Sequence, residues 1–370
     1  MAAAPDVRST PLSAAPKRSP AKLLLFSLVM LSLPVLALAL LEGVSSLVLI
    51  GHALTHPRAL AETRHTERDT LLGWINRPNL SIPDMYGPGI GLHTNHQRVR
   101  QIGDLAPRPP EGRRRLVCSG DSFTLGYGVS DGQTWCSLLG AHDTLLETVN
   151  MGQGGYGVDQ AFLWYLRDGM RLHPDVHVLA LITEDLLRMM PGAYRGYPKP
   201  HLALNASGLH TVGVPVPTPG LMPWIATLAN QARSLRSFEL LQRLHLARAE
   251  APTPRNVALL GLALAVLRDL ARKDSAAGIE LLVVHLPTRS DFNSLTADLW
   301  LQQAREAARR GAFRFVDLIE PFRRLPLDSV ERMFIKPGEI PFAGAAGHFN
   351  IAGNAWVAKQ LTSSLRRAAR

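Results

Sequence analysis

The chain of 370 residues has room for one large domain or two modest ones, and 46% hydrophobic against 19% charged residues describes a packed core rather than a disordered polymer. Two Cys exclude a disulfide-dense miniprotein, and 30 Gly without a triplet period exclude collagen. Lys and Arg (40) exceed Asp and Glu (30), but much of the excess gathers at the ends, at Arg8, Lys17, Arg18 and Lys22 and at Arg366, Arg367 and Arg370. The expectation is an enzyme with basic termini and no nucleic-acid partner.

Residues 1–22 read as a basic cytoplasmic tail. From Leu23 to Leu41 the chain carries no charge, and beyond Glu42 it stays apolar to about Leu54. At 1.5 Å per residue the uncharged run alone would reach roughly 28 Å as a helix, near the thickness of a bilayer's hydrocarbon. The basic residues ahead of it keep the N-terminus inside, so residues 23–54 are expected to be a signal-anchor in a bacterial inner membrane, with the remainder on the periplasmic side. Two alternatives stay open: a signal peptide cleaved at Ala37-Leu38-Ala39, and a buried helix.

Residues 55–110, rich in Pro, Gly, Asn and His, read as a loop-rich lead-in. From Arg113 strands and helices alternate: LVC, a helix over 133–142, a short strand at 148–150, a helix over 159–172, then VHVLALI. This alternation predicts an α/β architecture with a parallel sheet. An insertion at about 191–255 interrupts it, with a hairpin at 204–209 and two amphipathic helices at 221–248 and 255–273. Its place after a strand predicts a roof over the site, where Tyr194, Tyr197, Trp224, Arg195, Lys199, Arg233 and Arg236 could meet a sugar or an acidic polymer. The alternation resumes with IELLVVHLP, a helix over 296–310, FRFVDLI and a last helix after Gly353.

Gly120-Asp121-Ser122 follows a strand, so the Ser122 hydroxyl is expected at the carboxyl edge of the sheet, where open α/β folds bind ligands. A free hydroxyl needs a base, and His348 in GHFNIAGN offers one. Cys118 and Cys136 are expected to be buried thiols, with a disulfide as the alternative. No Cys, His and carboxylate cluster has zinc spacing and no phosphate-binding Gly-rich loop with Lys occurs, so neither metal nor cofactor is expected.

Four blocks in order, GDSFTLGYGVSDGQTW, VNMGQGGYGVDQ, PDVHVLALITEDL and GHFNIAGN, resemble the SGNH (GDSL-type) serine hydrolase family over roughly residues 71–365, with a lead-in, LLGWINRPN, similar to that of its membrane-anchored bacterial members. The resemblance implies a flavodoxin-like three-layer SGNH hydrolase fold within 111–370. It also implies Ser122 as nucleophile, His348 as base, and an oxyanion hole from the Ser122 and Gly155 N–H groups. Asn150 and Gly152 match the second block. Where the family carries an oxyanion-binding Asn this chain has Glu184, which when ionised only accepts hydrogen bonds and when protonated can donate. Where the family carries an acid three residues before the histidine stands Ala345, so the orienter of His348 must come from elsewhere, a backbone carbonyl or Glu339. The implied activity is an extracytoplasmic serine esterase hydrolysing or transferring a small acyl ester, such as acetyl on a cell-surface polysaccharide. The alternative is a non-catalytic carbohydrate-binding or assembly protein on the same fold.

Overall fold

The computed structural model describes residues 19–55, 63–194, 197–218, 254–293 and 297–368. The first apolar stretch forms helix α1 (Pro20–Thr55), which includes Pro34. Its segment Pro20–Leu49 has a mean hydropathy of 2.6, long and apolar enough to cross a membrane. α1 falls in a different compact unit from the α/β body.

The lead-in is more regular than its composition predicts. It makes two antiparallel pairs, β1 (Thr66–Asp69) with β2 (Gly73–Asn76), and β3 (Leu80–Gly87) with β4 (Ile90–Thr94). Strands this short carry too little alternation to stand out in sequence. They form because tertiary contacts recruit them: Trp74, Met85, Tyr86 and Leu92 are all buried in the body.

The body begins with β5 (Arg114–Gly120), β6 (Leu146–Gly152) and β7 (Val176–Leu181). The insertion contributes β8 (Ala193–Tyr194) with β9 (Tyr197–Pro198), and β10 (His201–Asn205) with β11 (Gly208–Val212), both pairs antiparallel. β12 (Glu280–His285) and β13 (Arg314–Asp317) complete a five-stranded sheet of order β13-β12-β7-β5-β6, parallel throughout. All six residues of β7 are buried, as a central strand covered on both faces requires. The chain starts at β5, steps to one edge, then crosses to β7, so the strand order reverses between β5 and β7. Ligands bind at such switch points, beyond the carboxyl ends of the strands.

Side-chain alternation divides the core into two layers. Val117, Val149, Leu179 and Val283 face helix α4 (Val158–Arg167) and the helices Pro254–Ala276 and Asp298–Arg309. Leu116, Cys118, Val178 and Leu282 face helix α3 (Trp135–His142) and the C-terminal helix Ile351–Ala368. In this second layer Cys118 and Cys136 are joined in a disulfide, their Cα atoms 6.3 Å apart, rather than standing as the two thiols expected. Both residues point into the same packed layer from neighbouring elements, which brings them within bonding reach.

The opposite layer holds a polar chain. Ser119 Oγ lies 2.6 Å from His177 Nε2, His177 Nδ1 lies 3.0 Å from Asp274, and the Tyr165 hydroxyl donates to Asp274 at 2.8 Å. The Tyr165 ring stacks on His177 at 3.4 Å. Ser119, His177 and Asp274 are fully enclosed, and burial lowers the pKa of His177 against the pull of Asp274.

Within the insertion, Lys199 departs from expectation. It is buried and donates to Asp159 at 2.7 Å and to the Pro200 carbonyl at 2.8 Å, so it anchors the hairpin to α4 and faces no polymer. The expected hairpin at 204–209 is β10–β11, and the helix expected at 255–273 spans Pro254–Ala276. Arg195, Trp224, Arg233, Arg236 and the helix expected at 221–248 lie outside the described residues.

Candidate active site

β5 ends at Gly120, and the chain turns at once into the short helix α2 (Ser122–Leu125). Asp121 caps that helix, its Oδ1 accepting the Phe123 N–H at 2.8 Å. Ser122 is therefore the first helical residue, and its own N–H has no partner within the helix. The other oxygen of Asp121 receives Arg188 Nη1 at 3.0 Å, which also donates to Asp185 at 2.6 Å and to the Tyr156 carbonyl at 3.1 Å. One guanidinium thus ties together the segments that leave β5, β6 and β7. Burial, reinforced by the Asp121 charge, raises the pKa of Asp185, and Arg188 opposes that rise.

His348 meets Ser122 across the crevice, with Nε2 2.7 Å from Ser122 Oγ. Its Nδ1 lies 3.3 Å from the Ala345 carbonyl. A carbonyl only accepts, so Nδ1 carries the hydrogen and Nε2 offers its lone pair to the serine hydroxyl. The His348 backbone is held in turn, its carbonyl accepting from Ile335 N at 2.9 Å and its N–H donating to Ala345 O at 2.9 Å. The Ala345 methyl is buried in an apolar cluster with Met85, Tyr86, Leu92, Leu125, Tyr127 and Ile335. Glu339 sits elsewhere: exposed, it accepts the Lys336 N–H at 2.7 Å and closes a surface turn. The carbonyl of Ala345 stands where a carboxylate orienter would.

Gly155, in the loop after β6, has φ +75°, and a Cβ there would come within 2.5 Å of the Tyr194 ring, so both conformation and space call for glycine. Among the described residues neither its N–H nor that of Ser122 is seen to donate to another group. Asn150 does not face this space. Its Nδ2 donates to the Thr124 carbonyl at 2.8 Å and its Oδ1 accepts Gly152 N at 3.0 Å, stapling the β6 end to α2. Glu184 lies in the first turn of the short helix α5 (Thr183–Leu187), at the end of β7. Its side chain is exposed, with the protein nearby desolvating the carboxyl in part. That desolvation, with the charges of Asp291 and Asp121 nearby, raises its pKa.

Two supporting residues, Arg188 and Arg100, carry no functional signal in the sequence, and Tyr194, read there as a sugar contact of the insertion, stands in a different place. Arg188 is a lone arginine after ITED. Arg100, buried in the lead-in, bonds Asp131 through Nε at 2.7 Å and donates to the carbonyls of Leu125 and Gly126 at 2.7 Å and of Val129 at 2.6 Å, gripping the loop that follows α2. Tyr194 stacks against Trp74 and lies over Arg188, its centroid 5.3 Å from the guanidinium. Only the i, i+3 spacing of Asp185 and Arg188 could have hinted at a pair. Among the described residues no group of three His, Cys, Asp or Glu could hold a metal ion.

No protein-family model and no curated protein matches the sequence. Among solved structures the chain is similar to an acetyl xylan esterase, AlAXEase, at 14% identity and TM-score 0.41, covering 68% of this chain and 98% of that one. It is similar to a GDSL-like lipase from Bacteroides thetaiotaomicron at 13% identity and TM-score 0.40, covering 71% and 93%. A lipase/acylhydrolase from Enterococcus faecalis gives 12% identity and TM-score 0.38, covering 69% and 96%. With its parallel sheet in the order β13-β12-β7-β5-β6, its layers of helices on both faces and Ser122 at the switch-point end of β5, the chain has the three-layer α/β fold that the sequence predicts.

Proposed function

We propose that the chain is a serine esterase of the SGNH type, tethered to the inner membrane by α1 and working on its outer side, that removes or transfers small acyl groups such as acetyl on a cell-surface polysaccharide. The observation that carries this reading is the 2.7 Å contact between Ser122 Oγ and His348 Nε2, with the tautomer fixed by the Ala345 carbonyl. In this mechanism His348 takes the Ser122 proton as Oγ attacks the ester carbonyl. The oxyanion so formed points to the N–H groups of Ser122 and Gly155. Collapse expels the alcohol, which takes its proton from His348, and leaves an acyl-serine. Water, or the hydroxyl of an acceptor, then enters by the reverse steps. A carbohydrate-binding protein would have no use for a serine aimed at an oriented imidazole, and this favours the enzyme over the binding reading.

The test is a fluorophosphonate probe applied to the full chain in membranes. Wild type is expected to be labelled, Ser122→Ala to give no label, and His348→Ala to slow labelling by about 1000-fold or more. Equal labelling of wild type and Ser122→Ala overturns the assignment.

A further inference from the structure

His348 lies against two aromatic rings as well as against Ser122. The Phe123 centroid is 4.6 Å from the imidazole centroid with 33° between the planes, and the Tyr127 centroid is 5.1 Å away at 44°. Both rings are buried and fixed by further rings. Phe349 meets Phe123 edge-on at 5.0 Å, Phe342 meets Tyr127 edge-on at 5.5 Å, and Tyr86 of the lead-in leans on Tyr127 at 5.7 Å. A cation within about 6 Å of a ring centroid is drawn to the negative face of the ring. When His348 takes the Ser122 proton its imidazole becomes that cation, while the group behind Nδ1 is a neutral carbonyl.

We propose that Phe123 and Tyr127 are positioning residues that hold His348 in line with Ser122 and stabilise its imidazolium, taking over part of what a carboxylate would do. The proposal rests on the esterase reading for its role in turnover, but the contact of ring with cation does not. Other charged or titratable groups stand nearby. Asp121 pairs with Arg188 and its Oδ2 lies 3.4 Å from Ser122 Oγ, His65 meets Tyr127 edge-on at 6.3 Å, and Lys336 and Glu339 on the adjoining turn are exposed. Tyr86 stands behind Tyr127. Glu184 lies in the first turn of α5, at the end of β7.

The experiment compares wild type with Phe123→Leu, Tyr127→Leu and Tyr127→Phe in the full chain. Two readouts are followed against pH: the rate of fluorophosphonate labelling, and the NMR titration of the His348 ring, assigned by its loss in His348→Gln. Removing a ring face makes the imidazolium less stable, so protonation needs a lower pH. Each Leu variant is expected to slow labelling about three- to tenfold and to move both the acid limb and the NMR midpoint down by about half to one pH unit. Tyr127→Phe should restore most of what Tyr127→Leu loses, since the face and not the hydroxyl acts. Should a Leu variant fail to fold, pentafluorophenylalanine at position 123 keeps the shape and reverses the charge of the ring face, and the same downward shift is expected. An unchanged midpoint in the folded Leu or fluorinated variants, or a Tyr127→Phe chain that behaves like Tyr127→Leu, overturns the proposal. Wild type that takes no label yet shows the midpoint shift would reject the esterase reading and leave the ring contact standing.

Discussion

In the proposed site a carbonyl oxygen lies behind His348 Nδ1 where the sequence resemblance implied an acid, and the Ala345 side chain shows why. The Ala345 methyl is packed among Met85, Tyr86, Leu92 and Tyr127, so a carboxylate grown from that carbon would enter an apolar cluster rather than reach the imidazole. Ala345→Asp is therefore expected to bring no gain in esterase rate and to cost roughly 3–5 kcal/mol of stability, the scale of an unpaired buried charge, measured by urea unfolding in detergent. Glu184 invites the opposite change. Above its raised pKa the carboxylate repels an oxyanion, and below it the protonated form can donate. Glu184→Gln supplies a permanent donor, so its advantage over wild type should be about tenfold or more at pH 8 and should shrink as the pH falls toward the acid range. Equal rates at every pH would remove Glu184 from the oxyanion site. The meeting of Ser122 and His348 was legible in the sequence because each sits in a short block with local punctuation, while the part given to Gly155 came from the family resemblance alone. The carbonyl behind His348 was not legible, since every residue owns one and only folding selects which is used.

Elements show the same limit in another form. The long strands β5, β7 and β12 announce themselves as continuous apolar runs, whereas β1 to β4 do not, and the lead-in read as loop. Yet this segment reaches the site twice, through Arg100 gripping the loop after α2 and through Tyr86 backing Tyr127. The insertion is tied down by one buried ion pair. Burial raises the pKa of Asp159, and Lys199 opposes that rise by charge and hydrogen bond. Lys199→Ala leaves the enclosed carboxylate without its counter-ion, though still bonded to the Gln160 N–H, and is expected to destabilise the chain by about 3–5 kcal/mol. Because β8 and β9 place Tyr194 beside Gly155, the same change should also slow ester turnover when assayed below the unfolding range. A loss of stability under 1 kcal/mol would mean that the pair contributes little. The sequence offered Lys199 only as a basic residue in a Pro-rich stretch, which is how a surface lysine reads.

For the whole molecule the histidines set the response to acid. Burial pushes the pKa of His65 and of His285 down to about 3, and lowers that of His177. In the unfolded chain the same residues take up protons below about pH 6.5. Lowered folded values mean that the unfolded state binds more protons, so stability falls as the pH drops through 6.5 toward the folded values. Near pH 5 His65 and His285 give a slope of about 3 kcal/mol per pH unit, to which His177 adds in the same sense, reduced by carboxylates such as Asp159 and Asp291, whose raised values act in the opposite sense. The melting temperature of the full chain should be markedly lower at pH 5 than at pH 7, and a flat profile between them would contradict the assignment of these histidines as neutral in the fold. Composition counts 13 His without telling which of them are enclosed.

The enclosed chain of Ser119, His177 and Asp274 makes a second point about where reactivity resides. It contains the three residue types of a hydrolase triad, joined in the same order and at bonding distances, three positions upstream of Ser122 on the same run of chain. An inventory of chemical groups would rank it above the pair at the surface, which lacks the acid. What it lacks is a door. Ser119 is still inside the sheet, its hydroxyl turned into the helical layer, and no ester, water or leaving alcohol can arrive or depart. One more step along the strand and a turn deliver Ser122 to the rim. On the proposed reading, what separates the two sets of groups is how far a strand runs before it bends: the length of one turn divides an enclosed serine from one placed to meet an ester.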